Sequence, residues 1–171
     1  MKPLSFNLYS GLSGFGLGIV LGFVTSLPSA AQGASGCGFT QVVGLNFGNY
    51  DVMAPTPTDA VGSFSFTCRG GGGGGGSFNN IPVTISLSRG NSDSYTPRRM
   101  IFESSTLEYN LYLDAARSRV WGDGTSGTNQ NGPFVPGNNV GNTIEIFGRI
   151  PPDQWVTPGQ YSDQIVITIQ F

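Results

Sequence analysis

Residues 107–114 read LEYNLYLD. Leu107, Tyr109, Leu111 and Leu113 share one parity, and Glu108, Asn110, Tyr112 and Asp114 the other. That period-two pattern is the mark of a strand with one face on a core and the other toward water. The pattern recurs on both sides of this stretch. Phe64, Phe66 and Cys68 alternate with Ser63, Ser65 and Thr67, and Val83, Ile85 and Leu87 alternate with Thr84, Ser86 and Ser88. At 143–150, Ile144, Ile146 and Ile150 oppose Glu145, Phe147 and Arg149. In the final run, 161–171, Ile165, Ile167, Ile169 and Phe171 are expected to point inward against Val166, Thr168 and Gln170, so that the chain ends inside its last strand. Turn residues at Pro55, Pro57, Gly90, Gly122, Gly124, Pro151 and Gly159 punctuate the sequence, and no stretch after the amino terminus keeps an apolar 3.6-residue period. The pattern predicts an all-β, immunoglobulin-like sandwich, with a jelly roll or small barrel left open by periodicity alone.

Composition narrows the function. The chain has 171 residues, 8 Lys+Arg, 10 Asp+Glu, no His and a formal charge of −2, with a pI near 4.8. A nucleic-acid partner would call for a basic surface, so none is expected. Without imidazole and with two Cys, zinc chemistry and Ser-His-Asp catalysis are both out of reach, and no cofactor is expected. Charged residues make up 11%, less than half of the roughly 25% usual in soluble domains. With 27 Gly, this is the profile of an extracellular strand-and-turn protein.

The amino terminus agrees with export. Lys2 precedes a Gly-diluted apolar stretch from Leu12 to Leu27, and Ser29-Ala30-Ala31 supplies small residues for a signal peptidase. A signal peptide is expected over 1–31, cleaved after Ala31, with one domain over 32–171. An uncleaved anchor is the alternative, disfavoured by the short span, its internal glycines and Pro28. Contact with a membrane is then confined to export. In an oxidising compartment Cys37 and Cys68 are expected to pair, closing a loop of roughly thirty residues worth about 3.5 kcal/mol. The seven glycines at 70–76 are followed by Ser77-Phe78-Asn79-Asn80 and a strand, so they are a hairpin linker and not a phosphate loop.

The candidate chemistry is thin. Paired carboxylates could serve a glycosidase, but Glu108, Asp114 and Glu145 fall on outward positions and Asp153 and Asp163 near turns, so all five are expected as solvated charge and no enzyme is predicted. The loop 123–132, DGTSGTNQNG, offers oxygen ligands but a single carboxylate, too few for calcium. Trp121, Trp155, Tyr50, Tyr95 and Tyr161 are weighed as a sugar-binding platform and expected chiefly as core or rim packing.

Several ordered blocks carry a resemblance: Cys37, FGNY at 47–50, Cys68, LSRG at 87–90, RRM at 98–100, LEYNLYLD at 107–114, VWGDG at 120–124, GRIPPDQ at 148–154 and GQYSDQIVITIQF at 159–171. Together they resemble the spore coat protein U domain family, which includes subunits of archaic chaperone-usher pili. The glycine run departs from the family pattern. The resemblance implies an incomplete immunoglobulin-like sandwich lacking its final strand, completed by donor-strand complementation. It also implies a periplasmic pilus chaperone, an outer-membrane usher and other pilus subunits as partners, and a place on the cell surface in a pilus or coat. Ile165, Ile167, Ile169 and Phe171 would form the acceptor wall of the groove, with Leu107, Tyr109, Leu111 and Leu113 in the core. After cleavage only Gln32-Gly33-Ala34-Ser35-Gly36 would precede Cys37, too little to fill a neighbour's groove. The expectation is a subunit that accepts a strand and donates none, at a fibre tip with an adhesion or biofilm role. The alternative is a self-complete secreted sandwich that binds surface carbohydrate.

Overall fold

The computed structural model describes residues 4–11, 36–70, 78 and 80–171. The expected cleavage site at Ala31 and nearly all of the glycine run lie outside the described residues. Strands follow in the order β1 (Leu4–Gly11), β2 (Gly36–Val43), β3 (Asn46–Asn49), β4 (Thr58–Arg69), β5 (Val83–Leu87), β6 (Arg98–Phe102), β7 (Ser105–Tyr112), β8 (Asn131–Phe134), β9 (Gly141–Ile150) and β10 (Gln160–Gln170). No helix occurs among the described residues. The fold is an all-β sandwich. One layer runs β2-β4-β9-β7; the ladder continues through the β6–β7 pair into the other, β6-β10-β1-β3, with β5 pairing β10 and β8 pairing β5. Strand pairs are antiparallel except that β1 and β3 run parallel.

The alternating residues meet between the layers. Phe64, Phe66, Leu107, Tyr109, Leu111, Ile146 and Ile150 face Val83, Ile85, Leu87, Met100, Tyr161, Ile165 and Ile167, all buried in one core. Trp121 links the two sides: its ring lies 6.2 Å from Phe64, and its Nε1 donates to the Ile85 carbonyl on β5. β9 is closely packed at Gly148, where an added Cβ would lie 2.7 Å from Phe47 Cζ and 2.8 Å from Leu45 Cδ2. Cys37 and Cys68 sit opposite each other on β2 and β4 and are joined as a disulfide.

Three sequence expectations are corrected. Asp163 is not solvated surface charge: it is 2% exposed, in the same inward row of β10 as Ile165 and Ile167. Asn110, expected outward on β7, is also buried, because Arg98 and the chain at Trp121 cover that side of the strand. Phe171 lies beyond the end of β10, which stops at Gln170 opposite Thr84. It is half-exposed, with its ring 5.7 Å from that of Phe78.

Candidate functional site

The long edges of β10 are occupied differently. On one side, β1 pairs with it over eight consecutive residues, from Leu4 opposite Ile167 to Gly11 opposite Gln160, without a register shift. The far edge of β1 pairs β3, Tyr9 opposite Asn46 and Gly11 opposite Asn49. β1 therefore fills a slot between β10 and β3, and it comes from the segment read as a leader. The sequence of β1 alternates as a strand should: Leu4, Phe6 and Leu8 are registered opposite Ile167, Ile165 and Asp163.

Of the four residues expected as the acceptor wall, Ile165 and Ile167 lie within this register. Ile169 and Phe171 lie past it; Ile169 is paired with Ile85 of β5. Tyr161 and Asp163, which the sequence reading left out of the wall, belong to the same buried row and fall within the register.

Asp163 belongs to a buried polar network. Tyr109 Oη on β7 donates to its Oδ2 at 2.6 Å, and Asn91 N donates to its Oδ1 at 2.8 Å. Burial pushes the Asp163 carboxyl up from its ordinary value, opposed first by the Tyr109 bond. The Tyr109 hydroxyl is pushed well up, chiefly by its own burial. Nearby, Arg98 is fully buried yet satisfied: its guanidinium donates to the Ser88 carbonyl at 2.9 and 3.1 Å, to the Trp121 carbonyl at 2.6 Å and to Asn110 Oδ1 at 2.8 Å. Its face rests on the Tyr95 ring, 5.0 Å from the centroid. Such a network fixes strands, and every buried polar side-chain atom among the described residues has a partner.

The other candidates are dispersed. Trp121, Tyr50, Tyr95 and Tyr161 are buried, leaving Trp155 alone of the five exposed, so they form no common platform. Asp123 accepts from Thr125 N and Oγ1, while Asp114 accepts from Ser118 N and Arg119 N, each closing its own turn. Glu108 pairs with Arg99 at 3.2 Å on the surface.

The family comparison agrees with the motif blocks. The family model of the Spore Coat Protein U domain matches residues 24–168. The chain belongs to the spore coat protein U domain family. A curated relative, Protein U of Myxococcus xanthus, is 33% identical over 131 residues, covering 74% of this chain and 71% of that protein. A solved structure also aligns, the CsuC–CsuE chaperone-tip adhesion subunit pre-assembly complex from archaic chaperone-usher Csu pili of Acinetobacter baumannii. Its TM-score is 0.49 at 18% identity, over 80% of this chain and 40% of that chain.

The buried network draws its members from five of the blocks that carry the spore coat protein U resemblance. LSRG supplies Ser88, RRM supplies Arg98, LEYNLYLD supplies Tyr109 and Asn110, VWGDG supplies Trp121, and GQYSDQ supplies Asp163. A second cluster joins FGNY to GRIPPDQ: Tyr50 Oη donates to the Pro151 carbonyl and accepts from Gln154 N, and the Gln154 side chain in turn bonds both backbone groups of Glu108. Sequence reasoning missed these roles. The available signal was an Arg and an Asp inside apolar alternation, where unpaired charges are rarely buried.

Proposed function

We propose that the chain is a structural subunit of a secreted fibre or spore coat that accepts a strand from a partner. The observation that carries this reading is the slot between β10 and β3, held by β1 through eight consecutive pairs. If residues 1–31 are removed as a leader, that slot opens, and both its edges lose their backbone partners beside Ile165 and Ile167. An open apolar edge of this kind invites aggregation. A strand added by a periplasmic chaperone, and later by a neighbouring subunit at the outer-membrane usher, supplies main-chain bonds along β10 and apolar side chains for the groove. With only Gln32–Gly36 ahead of Cys37, the processed chain accepts a strand and donates none, which suits a fibre tip. Family membership supports the structural role, and nothing in the described geometry groups carboxylates for catalysis.

One observation favours a second reading: the strand filling the slot belongs to the same chain. If residues 4–11 are retained, the sandwich is self-complete and serves as a secreted binding module. Export of the full chain into a bacterial periplasm, with and without the chaperone, separates the two. The strand-accepting reading expects a mature mass beginning at Gln32, soluble only with the chaperone, and a melting temperature raised by a donor-strand peptide. A stable monomer that still carries residues 4–11 and ignores such peptides overturns it.

A further inference from the structure

The side of β10 that faces away from β1 has no continuous neighbour. Ser162 pairs Ile101 of β6, and pairing resumes at Ile167 opposite Leu87 of β5. Between them, at 163–166, β10 passes from one neighbour to the next without a paired residue on β6 or β5, and the amides of Gln164 and Val166 are met by side chains. Buried or half-buried amides need acceptors. Two side chains supply them. Asp163 Oδ1 accepts from Gln164 N at 2.7 Å and from Asn91 N at 2.8 Å, so one oxygen ties the strand to the turn after β5. Ser88 Oγ accepts from Val166 N at 2.9 Å and from Gly90 N at 3.2 Å, while Ser88 N donates to the Val166 carbonyl at 3.0 Å. Gly90, at φ 70°, lets the turn fold against Asp163; an added Cβ there would collide with the carboxylate.

We infer that Ser88 and Asp163 are positioning residues for the strand-accepting edge. Their side-chain oxygens replace the ladder bonds missing at the β6-to-β5 changeover and keep β10 straight, so that its opposite edge offers an unbroken register to an incoming strand. The inference rests on the strand-accepting reading. Backbone groups alternate sides along a strand. Because Val166 N and O both face Ser88, the amides of Tyr161, Asp163, Ile165 and Ile167 face the slot. A strand bent at 163–166 would break that row near the middle of the eight-residue register.

Amide exchange on the oxidised full chain, in which β1 occupies the slot, tests this. Ser88→Ala and Asp163→Val should raise exchange at the four slot-facing amides at least about tenfold more than at Phe64 and Phe66 on β4, which report overall stability. Ser88→Thr and Asp163→Asn keep an acceptor oxygen and should restore the slot-facing amides to within about threefold of wild type. A purely structural role would raise both sets together. Equal rises at both sets, or no rise in Ser88→Ala, overturn the inference. If the four amides of the wild type already exchange as freely as exposed backbone, no strand is held there, and the strand-accepting reading falls with it.

Discussion

The Tyr109 hydroxyl on β7 donates to Asp163 Oδ2 on β10 at 2.6 Å, a buried phenol on one strand bound to a buried carboxyl on another. Burial of that carboxyl, which the Tyr109 bond only partly offsets, gives the acid limb of the stability profile an unusual sign. Burial raises the Asp163 pKa above its ordinary 3.8, so the folded state holds that proton more tightly than the unfolded chain does. Lowering the pH through the folded value toward 3.8 therefore adds stability. Relative to Asp163→Asn, the wild type should gain urea resistance as the pH falls from neutral toward about 4. A constant difference across that range would contradict the shift. Asp59, held low by the Arg149 bond, Asp114, by the Ser118 amide, and Asp123, by Thr125, act oppositely: their contribution is lost as the pH falls below 3.8.

Arg98 satisfies two backbone carbonyls and Asn110 from within the core. A Lys carries the charge without the planar fork and cannot reach all three acceptors. Arg98→Lys should cost at least about 3 kcal/mol and lower the melting temperature by about 10 °C. A scan showing less than about a 3 °C loss would mean that the fork is dispensable.

The Cys37–Cys68 bond closes a loop with a sequence separation of 31. Replacing both cysteines with Ala should remove about 3.5 kcal/mol, read as an earlier urea midpoint with a larger apparent m value from a less constrained unfolded chain.

Much of the sandwich was legible because β4, β9 and β10 alternate buried and more open residues, as β7 does up to Tyr109, so parity alone sorted Phe64, Leu107, Ile146 and Ile165 correctly. Parity also contained the answer for Asp163, two residues from Ile165, but its charge and nearness to a turn outweighed the period. Asn110 was misread for a different reason. At Asn110 the outer side of β7 is covered as well, by Arg98, and alternation carries no information where both faces are buried. Strands β2, β3, β6 and β8 are short or interrupted, by Gly48 and Pro133 among others, and tertiary pairing makes them strands. The slot was inferred from family resemblance; its occupation by residues 4–11 had no counterpart in the sequence reading, because that segment was assigned to export.

Gly148 lies where β9 meets Leu45 and Phe47. Gly148→Ala should cost about 1–3 kcal/mol through overpacking, with Phe47→Leu in the same chain recovering part of the loss. An additive double mutant would show that the two sites do not share the strain.

Gly70 N and Phe78 N both donate to Asn138 Oδ1, each at 3.1 Å. Removing four of the seven glycines should therefore alter stability by less than about 1 kcal/mol. Asn138→Ala should cost about 1 kcal/mol, measured by chemical denaturation.

Because a single amide oxygen gathers both ends of that connection, a sequence spliced between them should leave the sandwich standing. An epitope or a fluorophore-binding sequence inserted there inherits the same clasp. The β4–β5 connection is thus a natural graft point for labelling the protein where it is assembled, without disturbing β10 or its slot.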